Sequence, residues 1–147
     1  LWYTIINNKL YQLPLKELET LRKDLIENKV ALDSNDVLNI IDRNTFELRV
    51  DLEECSKFNM KFREDCVLSF VEGVFKLTQG KSGYGRNERA AYISNLRSID
   101  IFSDNSSIEI FINDGEEVFT SRVYNDMLDT NVILEGEGTA IIRKWNI

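Results

Sequence analysis

Residues 99–123 have the sequence IDIFSDNSSIEIFINDGEEVFTSRV and contain three β-type segments, 99–102, 108–112 and 118–123. Asp114-Gly115 is a strong signal for a two-residue hairpin turn, which would place Ile110 opposite Phe119. A turn at Asp104-Asn105 would place Ile101 opposite Ile108, and would also set two like charges, Asp100 and Glu109, against each other unless that turn is longer. Slipping the register by one residue would scatter the apolar side chains over both faces. This pairing collects Ile99, Ile101, Ile108, Ile110, Ile112 and Phe119 on one face. We therefore predict an antiparallel β-meander, continued by strands at 132–134 and 139–145.

In the first eighty residues, apolar side chains occur at two kinds of spacing, that of strands and that of helices. Strands at 2–6 and 10–13 would form a hairpin around Asn7-Asn8-Lys9. Pro14 suits a first helical turn, and apolar residues at helical spacing follow it, so we predict a helix that ends near Asn28. A short second helix is predicted at 37–41, with Asp33 or Ser34 as its cap. Residues 46–52 alternate as in a half-buried strand, whereas 60–78 have the spacing of one long core helix.

These elements predict an α+β fold with a single domain over residues 1–147. It would have an N-terminal hairpin and helices, one long core helix, and a C-terminal antiparallel β-meander packed on the helices. No apolar run approaches the roughly 18 residues of a membrane-spanning helix, so a cytoplasmic protein is the expectation.

Composition excludes several kinds of catalytic site. The chain has 18 basic and 25 acidic residues and no histidine, which rules out Ser-His-Asp and Cys-His arrangements and histidine-bearing zinc sites within it. Its two cysteines, Cys55 and Cys66, do not form a Cys-x-x-Cys motif and are predicted to be free thiols in a reducing compartment. No cofactor and no metal is predicted.

The acidic excess lies in the last third of the chain, because residues 101–147 carry 3 basic and 9 acidic side chains, against a net charge of −7 overall. Acids on loops of a rigid sheet favour recognition of a basic surface, although they could equally fill the solvent side of strands. We therefore predict a small acidic protein-binding module and not an enzyme. It would be an inhibitor or an immunity or antitoxin-type protein that engages a basic partner, such as a nuclease or another nucleic-acid-binding protein. The predicted contact residues are Asp114, Glu116, Glu117, Asp126, Asp129, Glu135 and Glu137.

Two alternatives remain open. The basic, glycine-rich segment 76–97 suggests a nucleic-acid or phosphoryl-ligand binding domain, unless it is only a connector. Its candidate ligand-binding residues are Lys81, Tyr84, Arg86 and Arg89. Gly80-Lys81-Ser82 is not a complete phosphate loop, because Phe75 stands where that pattern requires glycine. The third hypothesis is a metal-dependent nuclease built on Glu47 and nearby carboxylates.

Overall fold

The computed structural model describes residues 2–85, 88–125 and 127–147, and these form an almost entirely β structure. Three short 3-10 helices occur in the described part, at Lys16–Leu21, Leu32–Ser34 and Lys81–Gly83. The strands are β1 (Trp2–Ile6), β2 (Lys9–Leu13), β3 (Lys23–Ala31), β4 (Asp36–Asn39), β5 (Phe46–Phe62), β6 (Cys66–Val71), β7 (Val74–Thr78), β8 (Glu88–Tyr92), β9 (Ser98–Ser103), β10 (Ser107–Ile112), β11 (Glu117–Arg122) and β12 (Asn131–Asn146).

Two long strands, β5 and β12, organise the molecule, because they pair antiparallel over most of their length and take part in two layers. In the first layer, residues 46–51 of β5 pair with β9, and residues 139–146 of β12 pair with β3. The order of this layer is β3-β12-β5-β9-β10-β11. In the second layer, residues 57–62 of β5 pair with β6, and residues 131–134 of β12 pair with β4. Its order is β4-β12-β5-β6-β7-β8, and the two layers form a β-sandwich.

The two long strands cross from one layer to the other at a bend. Here Glu54 has a φ of 53°, and the pairing register shifts between Glu137 and Thr139. Gly136 has a φ of 146°, and a Cβ there would lie 2.1 Å from the carbonyl oxygen of Lys57. The bend therefore requires glycine at this position, because any side chain would collide with the backbone of β5.

The core lies between the layers and is built from alternating residues of each strand. Phe46, Leu48 and Val50 of β5 are fully buried. Phe75 of β7 and Phe119 of β11 meet with ring centroids 5.9 Å apart, so the two layers are in direct contact.

The α+β class is wrong, because the described residues contain none of the three predicted helices. Leu15, Leu18 and Leu21 flank or lie in a 3-10 helix, whose side chains align every three residues, and β3 follows. The predicted helix at 37–41 lies mostly in β4. The predicted core helix at 60–78 is the end of β5 followed by the hairpin β6–β7, which turns at Glu72-Gly73, and both of these residues have positive φ.

Other sequence predictions are confirmed. Strands β1 and β2 form the expected hairpin, and the strand predicted at 46–52 is the beginning of β5. Ile110 lies opposite Phe119, as predicted. The turn between β9 and β10 is longer than Asp104-Asn105, so Ile110 also faces Ile101, and Asp100 faces Phe111 instead of Glu109. The register differs by two residues, which keeps every isoleucine on the buried face. No helix in the described ranges is long and apolar enough to cross a membrane.

Candidate functional site

The acids of the last third do not form one surface among the described residues. Asp114 and Glu116 lie at the β10–β11 turn, where Asp114 accepts from Arg49 at 3.1 Å and Glu116 pairs with Lys9 at 3.2 Å. Glu117, half-buried, begins β11 beside them. The pair of Glu116 with Lys9 links the N-terminal hairpin to the first layer, because Lys9 belongs to β2.

The remaining acids lie in other places and have other partners. Asp129 accepts from the backbone N–H of Glu64 at 3.0 Å and from that of Asn131 at 3.0 Å. Glu137, at the bend of β12, accepts from the hydroxyl of Ser56 at 2.7 Å, and Glu135 lines a groove at the same bend. Asp126 lies outside the described residues. The structure thus gives several of these acids local bonding partners and leaves the group dispersed.

A buried charge cluster lies on the outer face of the first layer, and we use this name for Arg22, Glu47, Arg49 and Asp100. Arg22 follows the first 3-10 helix, and its guanidinium donates to both carboxylate oxygens of Glu47 at 2.8 Å each. The same guanidinium lies 4.2 Å from the ring centroid of Trp145. Glu47 is fully buried, so its charge depends on this bidentate partner. The pair fixes the end of the N-terminal segment against the sheet.

Asp100 completes the cluster from β9. One of its carboxyl oxygens lies 3.7 Å from Arg49, while the other is buried and has no hydrogen-bond partner in the described part of the chain. Burial, followed by the proximity of Glu47, raises the pKa of Asp100 to about 8. At neutral pH Asp100 therefore carries a proton, which it can donate to Glu47. The positive charge beside Glu47 and Asp100 comes from Arg22 and Arg49.

The cluster is not suited to hydrolysis at this place. General acid–base catalysis needs a carboxyl group that a substrate can reach, whereas both oxygens of Glu47 are occupied by Arg22 and its side chain is fully buried. No group of three potential metal ligands converges within the described ranges. The cluster acts structurally, by fastening the chain around Arg22 to the sheet.

The N-terminal segment, residues 2–26, covers this outer face and is itself unusually apolar on the outside. Nine of the seventeen large apolar side chains that are exposed in the described part of the chain belong to it. They are Trp2, Tyr3, Ile5, Ile6, Leu10, Leu15, Leu21, Leu25 and Ile26. Such a concentration of exposed apolar side chains in one segment favours an interaction site. Hairpin β1–β2 also forms a separate two-stranded sheet, and such hairpins are marginally stable unless something else packs on them.

The basic loop between β7 and β8 borders a cleft of about 490 Å³, which we call the tyrosine cleft. Lys81 and Tyr84 line it together with Arg122 and Tyr124, which sequence reasoning did not single out. Arg89 does not line this cleft and donates instead to the carbonyl of Thr120. Arg86 lies outside the described residues. The structure therefore brings together two of the four residues of the predicted ligand site.

A family model described as "Glycosyl hydrolases family 32 C terminal" matches residues 17–146. The chain belongs to this family. It is 33% identical over 129 residues to the sucrose-6-phosphate hydrolase of Bacillus subtilis strain 168, covering 82% of this chain and 26% of that protein. It is 30% identical over 139 residues to the probable sucrose-6-phosphate hydrolase of Psychromonas ingrahamii, covering 89% of this chain and 25% of that protein. The chain thus spans about a quarter of the length of these relatives.

Solved structures of the glycosyl hydrolase family 32 have the same fold. The sucrose-6-phosphate hydrolase of Lactobacillus gasseri superposes with a TM-score of 0.78 at 20% identity, covering 99% of this chain and 32% of that one. The exo-inulinase of Aspergillus awamori superposes with a TM-score of 0.74 at 16% identity, covering 99% of this chain and 34% of that one.

Family membership corrects the functional predictions made from charge. The chain is a C-terminal domain of the glycosyl hydrolase family 32, so the inhibitor or immunity-protein hypothesis is wrong, and so are the nucleic-acid-binding and nuclease alternatives. The expectation of a non-enzymatic protein is also wrong at the level of the family, whose members are hydrolases. Net charge misled the prediction because it does not show which acids already have partners, as Glu137, Asp129 and Glu116 do.

Proposed function

We propose that this chain is the C-terminal module of a glycosidase that hydrolyses sucrose 6-phosphate. The family description and the names of the relatives support the activity. The inaccessible Glu47–Asp100 pair supports a module that does not itself supply the hydrolytic carboxylates. In this proposal the module stabilises the remainder of the hydrolase, which the relatives carry in the other three quarters of their length.

The observation that carries the stabilising role is the apolar outer surface of the N-terminal segment. The charge cluster holds this segment to the sheet from beneath, through Arg22 and Glu47, while its outward side chains remain exposed. Covering this surface would also stabilise the β1–β2 hairpin, which is only marginally stable as a separate two-stranded sheet. Its proposed occupant is the remainder of the same hydrolase polypeptide.

The test compares Ile5→Asp with Val37→Asp. Both side chains are exposed in this chain, at 71% for Ile5 and 59% for Val37, but Val37 lies on β4, in the other layer. Neither change should alter the unfolding temperature of the 147-residue chain. In the complete polypeptide, Ile5→Asp should lower the unfolding temperature by several degrees, because it buries a charge at the proposed contact, while Val37→Asp should not.

Activity on sucrose 6-phosphate is measured on the same samples, as release of reducing sugar. The complete polypeptide should be active, and Ile5→Asp should lose activity at a lower temperature than Val37→Asp. Equal behaviour of the two variants in the complete polypeptide would refute the proposed contact. Failure of the parent polypeptide to hydrolyse the sugar would refute the proposed activity.

The proposal extends to a cytoplasmic location. Cys55, half-buried, and Cys66, buried, are both free, and burial raises the pKa of each thiol to about 11. Unreactive free thiols are typical of reducing compartments. Fractionation of the native cells with an antibody to this chain would test this: recovery in the cytoplasmic fraction is expected, and recovery outside the cell would contradict it.

A further inference from the structure

We propose that the tyrosine cleft binds a sugar ring of a neutral saccharide. The choice of ligand class rests in part on the proposed function, and the geometry of the cleft supplies the rest. The cleft lies between the loop that follows β7 and the segment that follows β11. Its volume of about 490 Å³ falls within the range of about 300–1,000 Å³ typical of small-ligand pockets.

Both walls of the cleft are held in place by hydrogen bonds to residues that do not line it. Asp65 accepts from the backbone N–H of Ser82 at 3.0 Å and from the hydroxyl of the same serine, which holds the 3-10 helix Lys81–Gly83 in place. The backbone N–H of Tyr124 donates to the carbonyl oxygen of Ser82 at 2.9 Å, so the two walls are also joined to each other. A site held in this way does not need to be ordered by its ligand, which favours binding.

The second wall is anchored by a buried arginine. The side chain of Asn125 accepts from Arg63 Nε at 2.7 Å and donates to the carbonyl oxygen of Arg63 at 2.7 Å. These two hydrogen bonds hold the backbone at Asn125 in place, and with it the backbone of the neighbouring Tyr124. The aromatic ring of Tyr124 therefore projects from a rigid support.

The two tyrosines provide an aromatic platform. Their ring centroids lie 5.3 Å apart at an interplanar angle of 73°, so the edge of one ring meets the face of the other. Tyr84 is 82% exposed and Tyr124 is 49% exposed, so ring surface remains open to a ligand. The weakly polarised C–H groups on one face of a sugar ring can pack on such a surface. Exposed tyrosines presented on a cleft wall thus match the apolar side of a saccharide.

The charged groups of the cleft include both hydrogen-bond donors and an acceptor. Arg122 and Lys81 can only donate hydrogen bonds, whereas the carboxylate of Glu64 can only accept them, and all three line the cleft. A sugar hydroxyl both donates and accepts, so it can use both kinds of group. A phosphate could accept from the cations and from the hydroxyl and amide donors of the cleft, but it has no use for the carboxylate of Glu64, which repels it. The presence of an acceptor, together with the two exposed tyrosine rings, therefore supports a polyol as the ligand.

The experiment titrates the 147-residue chain, which buries its own core between two layers, with 1-kestose and separately with inorganic phosphate. Ring resonances of Tyr84 and Tyr124 are followed by NMR. We expect a saturable shift of both tyrosines with 1-kestose and no displacement of the sugar by phosphate. No saturable shift with 1-kestose, or saturable binding of phosphate alone, would overturn the proposal.

Variants assign the binding to the cleft. Tyr84→Ala should weaken 1-kestose binding by about fivefold or more, as expected when an aromatic contact is removed, while Tyr84→Phe, which keeps the ring, should bind nearly as well as the parent. Tyr92→Ala is the matched control, because Tyr92 is 87% exposed on β8 but does not line the cleft. Equal weakening by Tyr84→Ala and Tyr92→Ala, at unchanged unfolding temperatures, would overturn the proposal. The result is separable from the proposed hydrolysis, because each assay can succeed while the other fails.

Discussion

Replacing Asp100 by asparagine should remove a specific pH dependence from the stability of the fold. Burial and the nearby Glu47 raise the pKa of Asp100 from 3.8 to about 8. Between these two values the folded chain holds a proton at this site that the unfolded chain has released. The contribution of Asp100 to stability is therefore fully present below about pH 4 and is lost as the pH rises toward about 8.

The magnitude follows from proton linkage. One extra proton in the folded state lowers the free energy of unfolding by about 1.4 kcal/mol for each unit of rising pH. The asparagine introduced by Asp100→Asn would have no proton to lose, and its amide N–H can still donate to Glu47. The free energy of unfolding of Asp100→Asn, minus that of the parent, should therefore increase by about 3 kcal/mol between pH 5 and pH 7. Above the folded pKa of Asp100 the difference should level off.

The assay is urea denaturation followed by tryptophan fluorescence, since Trp145 lies against Arg22 of the same cluster. Parent and variant are compared from pH 4.5 to pH 9 at constant ionic strength. Glu109→Gln is the matched control, because it removes a carboxylate from the same face of the adjacent strand, where the side chain is only half-buried. A difference between Asp100→Asn and the parent that stays constant with pH would refute the account of this carboxyl.

Two further predictions concern the frame of the sandwich. Arg63→Lys should lower the free energy of unfolding, measured by urea denaturation, by about 2–3 kcal/mol. The guanidinium donates to Asn125, to Ser103 at 3.1 Å and to the carbonyl of Asn105 at 2.8 Å. A lysine ammonium cannot reach all of these acceptors at once. An unchanged urea midpoint would show that the hydrogen bonds of the Arg63 guanidinium do not contribute to stability. Gly136→Ala should cost about 3 kcal/mol or more, because its Cβ would collide with Lys57. Gly85→Ala is also at positive φ, but apart from its chain neighbours no atom of the described residues lies within 4 Å of the new Cβ, so it should cost only about 1 kcal/mol by the same assay. Equal losses of stability in Gly136→Ala and Gly85→Ala would contradict the close contact between Gly136 and the backbone of β5.

The sequence predicted the fold where turn signals and alternation agree. Asp114-Gly115 placed Ile110 opposite Phe119, and the face shared by the isoleucines survived a shift of two residues in the preceding turn. A register shift of two residues leaves every side chain on the same face, because side chains alternate with a period of two. The face of each residue could therefore be predicted, but the length of the 103–107 connection could not.

The false core helix at 60–78 has an equally specific cause. Phe62 and Cys66 are four residues apart because a three-residue turn separates β5 from β6, and Phe70 and Phe75 are separated by the turn at Glu72-Gly73. Apolar positions that alternate within short strands thus acquire helical spacing across their turns. Within β6 and β7, Cys66, Leu68, Phe70, Phe75 and Leu77 are buried and alternate with less buried residues. Gly73, an isolated glycine within this apolar run, is the sequence signal that marks the hairpin turn.

The candidate sites were less predictable than the strands. The tyrosine cleft joins Lys81 and Tyr84 to Arg122 and Tyr124, which lie some forty residues later, and only the packing of β11 near the β7–β8 loop brings them together. The charge cluster likewise joins Arg22 to Glu47 through a segment that was predicted as a helix. Charge counts along the chain cannot detect such pairings, because they ignore which carboxylates already have partners.

The proposed function is that this β-sandwich belongs to a polypeptide that hydrolyses sucrose 6-phosphate and does not itself carry the catalytic carboxylates. The most direct measurement is release of reducing sugar from sucrose 6-phosphate by the complete polypeptide and by the 147-residue chain, at equal molar concentration. We predict turnover by the complete polypeptide and none by the chain alone. Turnover by the 147-residue chain, or no turnover by the complete polypeptide, would contradict the account.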